Sequence, residues 1–402
     1  MGQENDLLAS IARCFHTDGE VDRIERIGDG HIHDSYRCTT EHGSGYVLQR
    51  INTDVFRDPV GVMRNIVLVL ESVGGSAAQT TRGHGIGVPE LVPPVRGAAA
   101  WETDATAASA ADGRQLVASG EHSDLPVLRI RPDAAAAGEA SVGRERTRPD
   151  GWWRMWREVA HARPAPAPAP PREARACGLG FGTFLELTAG IEPGRLSMTI
   201  PRFHDIERRL GELDAAVRED PSGRLGGAQR EVGLVQERAS AMRAWFRSLG
   251  RLPERVTHND TKFNNILLDT TSGEPRAVID LDTVMAGYAA YDFGDGARTG
   301  AVTAAEDTPH PEDMHLNVES FEAYTDGFLS VAALTRAERE TLPGSTGYMT
   351  FIMGVRFLTD HIAGDRYYHV DEPGHNLRRA RAQLALVLDL ERRTAEIAEA
   401  LV

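Results

Sequence analysis

Residues 256–282 contain side chains whose types and spacing suit the transfer of a phosphoryl group. Asp260 and Asn265 are five positions apart, Lys262 lies two positions after Asp260, and Asp280 follows a short turn. Such a transfer needs one carboxylate to orient and deprotonate an attacking hydroxyl, an amide oxygen and a second carboxylate to hold Mg²⁺, and a cation near the phosphate. The stretch therefore predicts a phosphoryl-transfer site, with Asp260 as the base and Lys262 as the cation.

The elements that would position these side chains are two short strands. Apolar runs at 266–268 and 277–279 flank a Ser-Gly-Glu-Pro turn, which is typical of a hairpin with polar residues at its ends. This hairpin would bring Asp280 opposite Asp260, and His258 would brace the loop rather than exchange protons. The alternative is a hairpin whose Asp and Asn residues only satisfy turns. The order and register of the two halves together favour the catalytic interpretation.

Oxygen ligands for Mg²⁺ are expected from Asn265 and Asp280, with water and ATP oxygens in the remaining positions. Asp282 is either a further ligand or a carboxylate behind the ligands. Asp292 lies in a Tyr-Asp-Phe-Gly-Asp string that contains the Asp-Phe-Gly of protein kinases. We interpret that string as a coincidence and assign the metal to Asp280. Asp292 is predicted to cap a helix that begins near Phe293.

A Gly-x-Gly turn between two β-type segments is a candidate for contacting nucleotide phosphates. Gly28 and Gly30 would let backbone amides approach the phosphates, and His31 is among the side chains that would add a donor. An ordinary hairpin turn is the alternative. In the extended segment that follows, side-chain alternation places Gln49 where kinases carry a phosphate-pairing lysine. If the register shifts by one residue, Arg50 takes that place instead.

Length and composition restrict the class of protein. With 402 residues and 41% hydrophobic content, the chain is too long for most single domains. The net charge of −15 argues against nucleic-acid and anionic-membrane partners, because both need a positive surface. The three cysteines are widely separated and lack a metal-ligand spacing. There is neither an apolar run of about 20 residues nor a signal pattern, so we expect a cytoplasmic protein.

The chain is organised asymmetrically. Residues 21–51 predict a Gly-punctuated hairpin, and 58–73 predict a helix with Asp58 as its N-cap. Residues 75–150 show weak periodicity apart from one strand at 125–130, and an aromatic strand follows at 152–156. The proline-rich segment 162–171 is interpreted as a spacer between two lobes. Helical spacing dominates later segments, namely 206–217, 229–249, 318–328, 346–362 and 376–401.

This pattern predicts an α+β class and a bilobal, protein kinase-like fold. A small β-rich N-terminal lobe, residues 1–157, would bind the nucleotide. A larger helical C-terminal lobe, residues 158–402, would carry the catalytic hairpin and the acceptor site. No internal repeat is visible, so a solenoid is not expected.

Nine blocks spread over nearly the full chain, outside about 75–150, carry a resemblance to known proteins. They are Gly28-Asp-Gly-His-Ile-His-Asp-Ser-Tyr36, Tyr46-Val-Leu-Gln-Arg-Ile-Asn52, Trp153-Arg-Met155, Thr199-Ile-Pro-Arg-Phe-His204, His258-Asn-Asp-Thr-Lys262, Ile279-Asp-Leu-Asp-Thr-Val-Met285, Tyr291-Asp-Phe-Gly-Asp295, Arg356-Phe-Leu-Thr-Asp360 and His375-Asn-Leu377. These blocks resemble the aminoglycoside and choline kinase-like phosphotransferases. Three of the runs, Asp-Thr-Lys, Asp-Leu-Asp-Thr-Val-Met and Arg-Phe-Leu-Thr-Asp, look particular to the N-acetylhexosamine 1-kinase branch.

The resemblance implies an ATP- and Mg²⁺-dependent kinase that phosphorylates the anomeric hydroxyl of an N-acetylhexosamine. Arg356 and Asp360 are four positions apart on one helical face, which alone fits either a surface ion pair or a charged pair in a cleft. The resemblance assigns Arg356 and Tyr367 to sugar binding, and we group Asp360 with them. It also implies that Gln49 is a feature of the branch. One alternative is an aminoglycoside, choline or other amino-alcohol acceptor; another is an inactive nucleotide- or sugar-binding protein.

Overall fold

The computed structural model describes residues 2–27, 32–77, 86–95, 117–118, 125–131 and 151–401. The predicted phosphate-loop residues Gly28, Gly30 and His31 lie outside these ranges. The chain divides into two compact units: Met1–Leu70 with Pro89–Ala160 form the first, and Glu71–Val88 with His161–Val402 form the second.

An antiparallel sheet is the main element of the first unit. Its strands are β1 Val21–Arg26, β2 Asp34–Thr40, β3 Gly45–Ile51, β4 Leu91–Val92, β5 Val117–Ala118, β6 Leu128–Arg131 and β7 Gly151–Arg157. They are ordered β1-β2-β3-β7-β6-β5, with β4 also paired to β7. Alternation along β3 buries Tyr46 and Leu48 in a core that includes Trp153 and helix α1, Gly2–Ala12. The opposite face of β3 carries Val47 and Gln49.

The first long helix, α2, spans Pro59–Ala77 and begins as predicted. The Asp58 side chain accepts a hydrogen bond from the backbone N–H of Gly61 at 2.9 Å, and proline occupies the first helical position. Both features stabilise a helix start because they suit backbone groups that lack helical partners.

Helices dominate the second unit. They are α3 Pro171–Leu187, α4 Ile206–Glu219, α5 Gln229–Leu249, α6 Ala289–Gly300, α7 Val318–Leu329, α8 Arg336–Ala363, α9 His375–Arg392 and α10 Thr394–Ala400. α8 extends ten residues further toward the N-terminus than predicted because a capping box between Thr335 and Glu338 begins it and Pro343 is accommodated inside. The single helix predicted for 376–401 is broken at Arg393, where α9 ends and α10 begins.

Helices α3 and α7 approach each other through glycines. A methyl group placed on Gly178 of α3 would lie 2.1 Å from the backbone oxygen of Tyr324, and one on Gly327 of α7 would lie 2.1 Å from the backbone oxygen of Arg175. Both distances are far inside van der Waals contact, so only glycine fits at these two positions. The α3–α7 pair therefore packs backbone against backbone.

The predicted catalytic hairpin is present. Strands β10, Ile266–Asp269, and β11, Pro275–Val278, pair antiparallel. The first residues of the predicted spacer 162–171 are a strand instead: β8, Ala162–Pro164, pairs with β10 as the third strand of this sheet. The backbone N–H and C=O groups of a short proline-rich segment still need hydrogen-bond partners, and the free edge of strand β10 provides them. Strands β9, Arg255–Thr257, and β12, Met285–Gly287, form a separate pair.

Two further expectations concern cysteines and membrane spans. The three cysteines, Cys14, Cys38 and Cys177, are free and buried. Among the described helices, none combines the length and apolar character that crossing a membrane requires.

Candidate active site

The loop that joins β9 to β10 holds the predicted catalytic residues. His258 fixes its shape, because Nε2 donates to the backbone oxygen of Ile279 at 2.9 Å and Nδ1 accepts from the backbone N–H of Asp260 at 3.3 Å. The ring is packed edge-on by Phe181 and Phe184 of α3, with centroids 5.9 and 5.6 Å away. The bracing role predicted for His258 is therefore confirmed.

Asp292 holds the same loop from the other side. Its two carboxylate oxygens accept the backbone N–H groups of His258 at 2.8 Å and Asn259 at 2.7 Å. The predicted helix cap is wrong: α6 begins at Ala289, and Asp292 lies inside its first turn. The left-handed φ of 63° at Asn259 turns two successive backbone N–H groups toward one carboxylate, so Asp292 bonds to the loop instead of capping a helix.

Burial controls the charge of Asp292. The residue is 1% exposed, and desolvation raises the pKa of its carboxyl from the ordinary 3.8 to about 6, although the two amide hydrogen bonds oppose the shift. Sequence reasoning identified Asp292 but not this role, because its donors lie more than thirty positions away. The geometry makes the carboxylate a clamp on the catalytic loop.

Asp260 and Lys262 lie together, with the Lys262 Nζ 3.4 Å from the Asp260 Oδ1. Desolvation alone would raise the pKa of Asp260, but nearby positive charges, with Lys262 the foremost, and a hydrogen bond from Lys262 together outweigh it, so the pKa lies below the ordinary value. The negative charge of Asp260 in turn raises the pKa of Lys262 above its usual range, despite desolvation. Asp260 is therefore an ionised carboxylate at neutral pH, and Lys262 is a cation.

Asn265 is oriented by the loop itself. Its Nδ2 donates to the backbone oxygen of Asp260 at 2.8 Å, which leaves the side-chain oxygen as the atom suited to a cation. Its backbone oxygen accepts the N–H of Ile279 at 2.9 Å, so Asn265 is tied to the residue before Asp280. Asp280 is exposed with a left-handed φ of 61°, whereas Asp282 is 1% exposed.

The side-chain oxygens of Asn265 and Asp280 suit a hard cation such as Mg²⁺. Among the described residues, no three His, Cys, Asp or Glu side chains converge as a ready-made metal cage. A site with few protein oxygens is what Mg²⁺ uses when nucleotide phosphates and water complete its shell. The pairing of Asn265 with Asp280 fits this chemistry, with exposed Asp280 better placed for a ligand than buried Asp282.

A charged network that sequence reasoning missed lies near Lys262. The buried Arg298 of α6 donates to Asp295 at 2.7 Å and also pairs with Glu306. Asp295 and Glu306 both contribute to raising the pKa of Lys262. The i, i+3 spacing of Asp295 and Arg298 on a helix was visible in the sequence, but nothing there connected it to Lys262.

Arg356 of α8 lies among three aromatic rings. Its Cζ is 4.9 Å from the centroid of Phe203, 5.7 Å from that of Tyr367 and 5.4 Å from that of Tyr368. Asp260 is near enough that its charge contributes to raising the pKa of Arg356, although desolvation opposes that shift. The predicted residues Arg356 and Tyr367 are thus brought together on the same unit as Asp260, and Phe203 and Tyr368 join them.

Asp360 does not form an ion pair with Arg356 among the described contacts. Its Oδ1 accepts the backbone N–H groups of Arg366 and Tyr367, and its Oδ2 accepts those of Tyr368 and the Asn376 side chain, all at 2.9 Å. A carboxylate that accepts four hydrogen bonds holds the segment that donates them, here residues 366–368 and Asn376. Asp360 therefore positions the two tyrosines that flank Arg356.

Gln49 lies on the first unit and is held by three groups. Its Oε1 accepts from Arg154 Nε at 3.0 Å and Trp156 Nε1 at 2.8 Å, and its Nε2 donates to Ser35 Oγ at 3.1 Å. The alternative residue, Arg50, lies 3.6 Å from an Asp34 oxygen in an ion pair.

Comparisons with known proteins identify the family and the fold of this chain. A model of the phosphotransferase enzyme family, APH, matches residues 23–334, more than half of the chain. Three solved structures share the fold at 13–14% identity. The microcompartment-associated aminopropanol kinase, 14% identical, has a TM-score of 0.57 over 99% of each chain.

An amicoumacin kinase in complex with AMP-PNP and Ca²⁺ is 14% identical, with a TM-score of 0.54 over 95% of this chain and 93% of that one. An aminoglycoside phosphotransferase from Alicyclobacillus acidocaldarius is 13% identical, with a TM-score of 0.54 over 94% and 92%. The likeness confirms the predicted α+β, kinase-like fold. The chain belongs to the phosphotransferase enzyme family, whose members transfer phosphate to a hydroxyl acceptor.

Proposed function

We propose that this enzyme uses ATP and Mg²⁺ to phosphorylate the anomeric hydroxyl of an N-acetylhexosamine, giving the sugar 1-phosphate. The sequence runs that resemble the N-acetylhexosamine 1-kinase branch support this choice within the family. The solved amicoumacin kinase, which holds an ATP analogue and Ca²⁺, supports a nucleotide as phosphate donor.

The observation that carries the acceptor assignment is the surroundings of Arg356. A guanidinium flanked by Phe203, Tyr367 and Tyr368 presents planar donors and apolar ring faces. An acetamide oxygen accepts from such donors, and a pyranose ring packs on such faces. A cationic acceptor such as choline or an aminoglycoside is bound best by aromatic rings together with acidic side chains. The positive charge of Arg356 would repel such an acceptor.

The proposed chemistry follows from the loop. Asp260, ionised at neutral pH, orients the anomeric hydroxyl and takes its proton as the oxygen attacks the γ-phosphorus; the bond from that phosphorus to the β–γ bridging oxygen breaks, and ADP leaves. Lys262, whose Nζ lies 3.4 Å from Asp260 Oδ1, offsets the charge that develops on the transferred group. Asn265 and Asp280 would hold Mg²⁺, with Asp282 behind them, and the ion would neutralise phosphate charge. Most of the rate then comes from positioning and electrostatics.

The remaining assignments concern the nucleotide and the lobes. Gly28, Gly30, His31 and Gln49 are proposed to contact the nucleotide within an N-terminal lobe of residues 1–157. Catalysis and sugar binding are proposed for the lobe of residues 158–402, with Arg356 and Tyr367 at the sugar and Asp360 positioning them.

Turnover across a panel of acceptors tests the proposal. Mg²⁺ and ATP would be supplied with N-acetylglucosamine, N-acetylgalactosamine, glucose, galactose, choline or kanamycin, and products identified by phosphorus NMR. We expect an anomeric sugar phosphate from at least one N-acetylhexosamine. Asp260→Asn should lower kcat by roughly 10²–10⁴-fold, because it removes the base while keeping the shape.

Asp326→Asn is the matched control, since Asp326 is an exposed carboxylate paired with Arg175 on the surface of α7. It should keep the wild-type kcat. Transfer only to choline or kanamycin would replace the sugar assignment with the amino-alcohol alternative. Nucleotide binding without transfer to any acceptor would favour the inactive binding protein.

A further inference from the structure

Helix α6 packs against the catalytic loop on both sides of Lys262. The Thr261 hydroxyl donates to the backbone oxygen of Asp292 at 2.6 Å. A methyl group on Gly300 would lie only 1.9 Å from the ring of Phe263, so the end of the helix is pressed against that residue. Thr261 and Phe263 are the chain neighbours of Lys262. Most of the length of α6 therefore lies beside this lysine.

The same helix carries Arg298, which binds two carboxylates. Its Nε donates to Asp295 Oδ1 at 2.7 Å, and its Nη1 donates to Glu306 Oε2. The side chains of Arg298 and Asp295 are 1% and 3% exposed, whereas that of Glu306 is 29% exposed. Arg298 and Asp295 therefore form the buried support, and Glu306 is the member of the group that reaches solvent.

The loop that follows α6 is closed at its base, which limits where Glu306 can lie. The backbone N–H of Thr303 donates to the backbone oxygen of His315 at 3.0 Å. Between these two ends, the ion pair with Arg298 ties Glu306 to α6. The loop is thus held at its base and at Glu306, so this carboxylate has a defined position.

The charges that act on Glu306 come from both parts of the candidate site. Burial alone would raise its pKa, but nearby positive charges, with Arg298 the foremost, and a hydrogen bond from Arg298 together outweigh it, so the pKa lies below the ordinary value. Lys262 and Arg379 contribute to that lowering. Arg379 Nη1 donates to the backbone oxygen of His369 at 3.0 Å, directly after the two tyrosines of the proposed acceptor site. Glu306 is therefore ionised at neutral pH.

One oxygen of Glu306 is left for a ligand. Arg298 takes Oε2, and the described residues provide no hydrogen-bond partner for Oε1. Asp260 and Lys262 are also partly exposed, at 19% and 38%. An ionised carboxylate can accept hydrogen bonds but cannot donate them. Oε1 therefore suits a hydroxyl group of a molecule that is bound beside the catalytic loop.

We propose that Glu306 accepts a hydrogen bond, through Oε1, from a ring hydroxyl of the acceptor sugar and so selects among sugars. This hydroxyl is not the reacting one, because the anomeric hydroxyl is assigned to Asp260 and the acetamide to Arg356. Arg298 is a positioning residue, since it holds the carboxylate by its other oxygen. The inference rests on the proposed function, in which the acceptor is a sugar, and adds a specificity-determining residue to it.

The variant Glu306→Gln tests the proposal by changing the outward atom. Because Arg298 can only donate, the glutamine oxygen must face it, and the NH₂ group takes the place of Oε1. Steady-state kinetics would be measured with N-acetylglucosamine or N-acetylgalactosamine, whichever the wild type prefers. We expect the KM for the sugar to rise about tenfold or more, because a charge-assisted hydrogen bond is lost, and the KM for ATP to stay unchanged.

Deoxy analogues of the sugar give a readout that a purely structural role would not change. Among the 3-, 4- and 6-deoxy sugars, one should be about tenfold or more poorer in kcat/KM for the wild type, because the carboxylate lacks its donor. That penalty should disappear in Glu306→Gln. The variant Glu306→Ala also removes the outward oxygen and should lose the same discrimination, which keeps the test decisive if the amide disturbs Arg298.

Glu312→Gln is the matched control. Glu312 is an exposed carboxylate of the same loop, 3.7 Å from the ring of His310. This variant should keep the wild-type KM values and the wild-type penalties for all deoxy analogues.

The outcomes separate this inference from the proposed function. Identical penalties for the deoxy analogues in the wild type and in both Glu306 variants would overturn the inference and leave the kinase assignment intact. Equal increases in the KM values for sugar and ATP would overturn it as well, because Glu306 would then only maintain the loop. A wild type that phosphorylates choline or kanamycin but no sugar would overturn the proposed function and this inference together.

Discussion

Asp260 and Asp292 are both aspartates of the catalytic loop region, yet their surroundings shift their pKa values in opposite directions. Nearby positive charges, with Lys262 the foremost, hold the pKa of Asp260 below its ordinary value despite burial, whereas burial raises the pKa of Asp292 to about 6. The residue that would perform the chemistry is thus insensitive to pH near neutrality. The residue that holds the loop is the one that titrates there.

This difference predicts an acid limb near pH 6 in the activity. Protonation converts one oxygen of Asp292 from an acceptor into a donor that faces a backbone N–H of His258 or Asn259, so the clamp is lost. We expect kcat at saturating substrates to fall as the pH drops below about 6. The Asp292→Asn variant should lose most of its activity, because the amide NH₂ group would face a backbone N–H and could not accept its hydrogen bond. The remaining activity should no longer fall near pH 6, because asparagine does not titrate.

The effect of Asp292 protonation on the free energy of unfolding distinguishes this loss of activity from unfolding of the protein. The folded pKa of Asp292 exceeds the unfolded value, so the folded state binds a proton more readily. This group's contribution is fully present below pH 3.8 and is lost as the pH rises through about 6. Urea unfolding should therefore show no destabilisation from Asp292 between pH 7 and 5.5. If the fall in kcat below about pH 6 coincided with a loss of stability in the urea titrations, the proposed role of Asp292 in holding the loop would be contradicted.

At the scale of elements, the proposed acceptor site depends on the segment after α8. Asp360 anchors the backbone of residues 366–368 and so sets the positions of Tyr367 and Tyr368 around Arg356. Asp360→Asn replaces one acceptor with a donor. We predict at least a roughly tenfold higher KM for the acceptor, since two of the four hydrogen bonds to the carboxylate are lost whichever oxygen is replaced.

Steady-state kinetics with each substrate varied in turn checks this prediction. The KM for ATP should be unchanged, because Asp360 holds residues that we propose contact the acceptor and not the nucleotide. Thr359→Ala is the control on the neighbouring position, where the hydroxyl bonds to the helix carbonyl of Val355. Equal increases in both KM values would indicate a general loss of structure.

The glycine contact between α3 and α7 predicts a second element-scale effect. Gly178→Ala or Gly327→Ala forces a methyl group against backbone that cannot rotate away, so each should destabilise folding by about 1–3 kcal/mol or more. Gly347→Ala on α8 is the control, because nothing described lies within 4 Å of the added methyl. It should be neutral or stabilise by up to about 1 kcal/mol.

Urea titrations of the three variants provide the measurement. The α3 and α7 substitutions should lower the unfolding midpoint, and Gly347→Ala should not. If all three behave alike, helix propensity rather than packing governs these positions.

At the scale of the whole molecule, ligand binding should appear as added stability. A nucleotide at a hundredfold excess over its Kd adds about 2.7 kcal/mol to unfolding. Because the chain carries a net charge of −15, a bound polyphosphate needs a cation, and we expect ATP to raise Tm far more with Mg²⁺ than with EDTA.

Asp280→Ala should remove the Mg²⁺-dependent part of the Tm shift and leave the smaller metal-independent part. Asp326→Asn, which keeps the proposed ligands, should retain the full shift. Equal shifts with Mg²⁺ and with EDTA would show that the metal does not contribute to nucleotide binding here.

The sequence predicts the parts of this molecule whose signals are local. The hairpin around Asp280, the cap at Asp58 and the alternation along β3 each depend on residues a few positions apart. The clamp by Asp292 joins residues more than thirty positions apart, and the pairing of β8 with β10 joins segments about a hundred apart. Such contacts are set by tertiary packing, which no short spacing records.

The backbone contact of α3 with α7 has a consequence for divergence within such a family. Phe181 and Phe184 on α3 hold His258, and the Tyr324 hydroxyl of α7 lies 3.4 Å from the backbone oxygen of Asp292. Because backbone atoms set the spacing of α3 and α7, substitutions among the neighbouring apolar side chains during evolution leave the loop between β9 and β10 in place. The residues around Arg356 belong to other elements, so descendants can exchange one acceptor for another while inheriting the same phosphoryl-transfer loop.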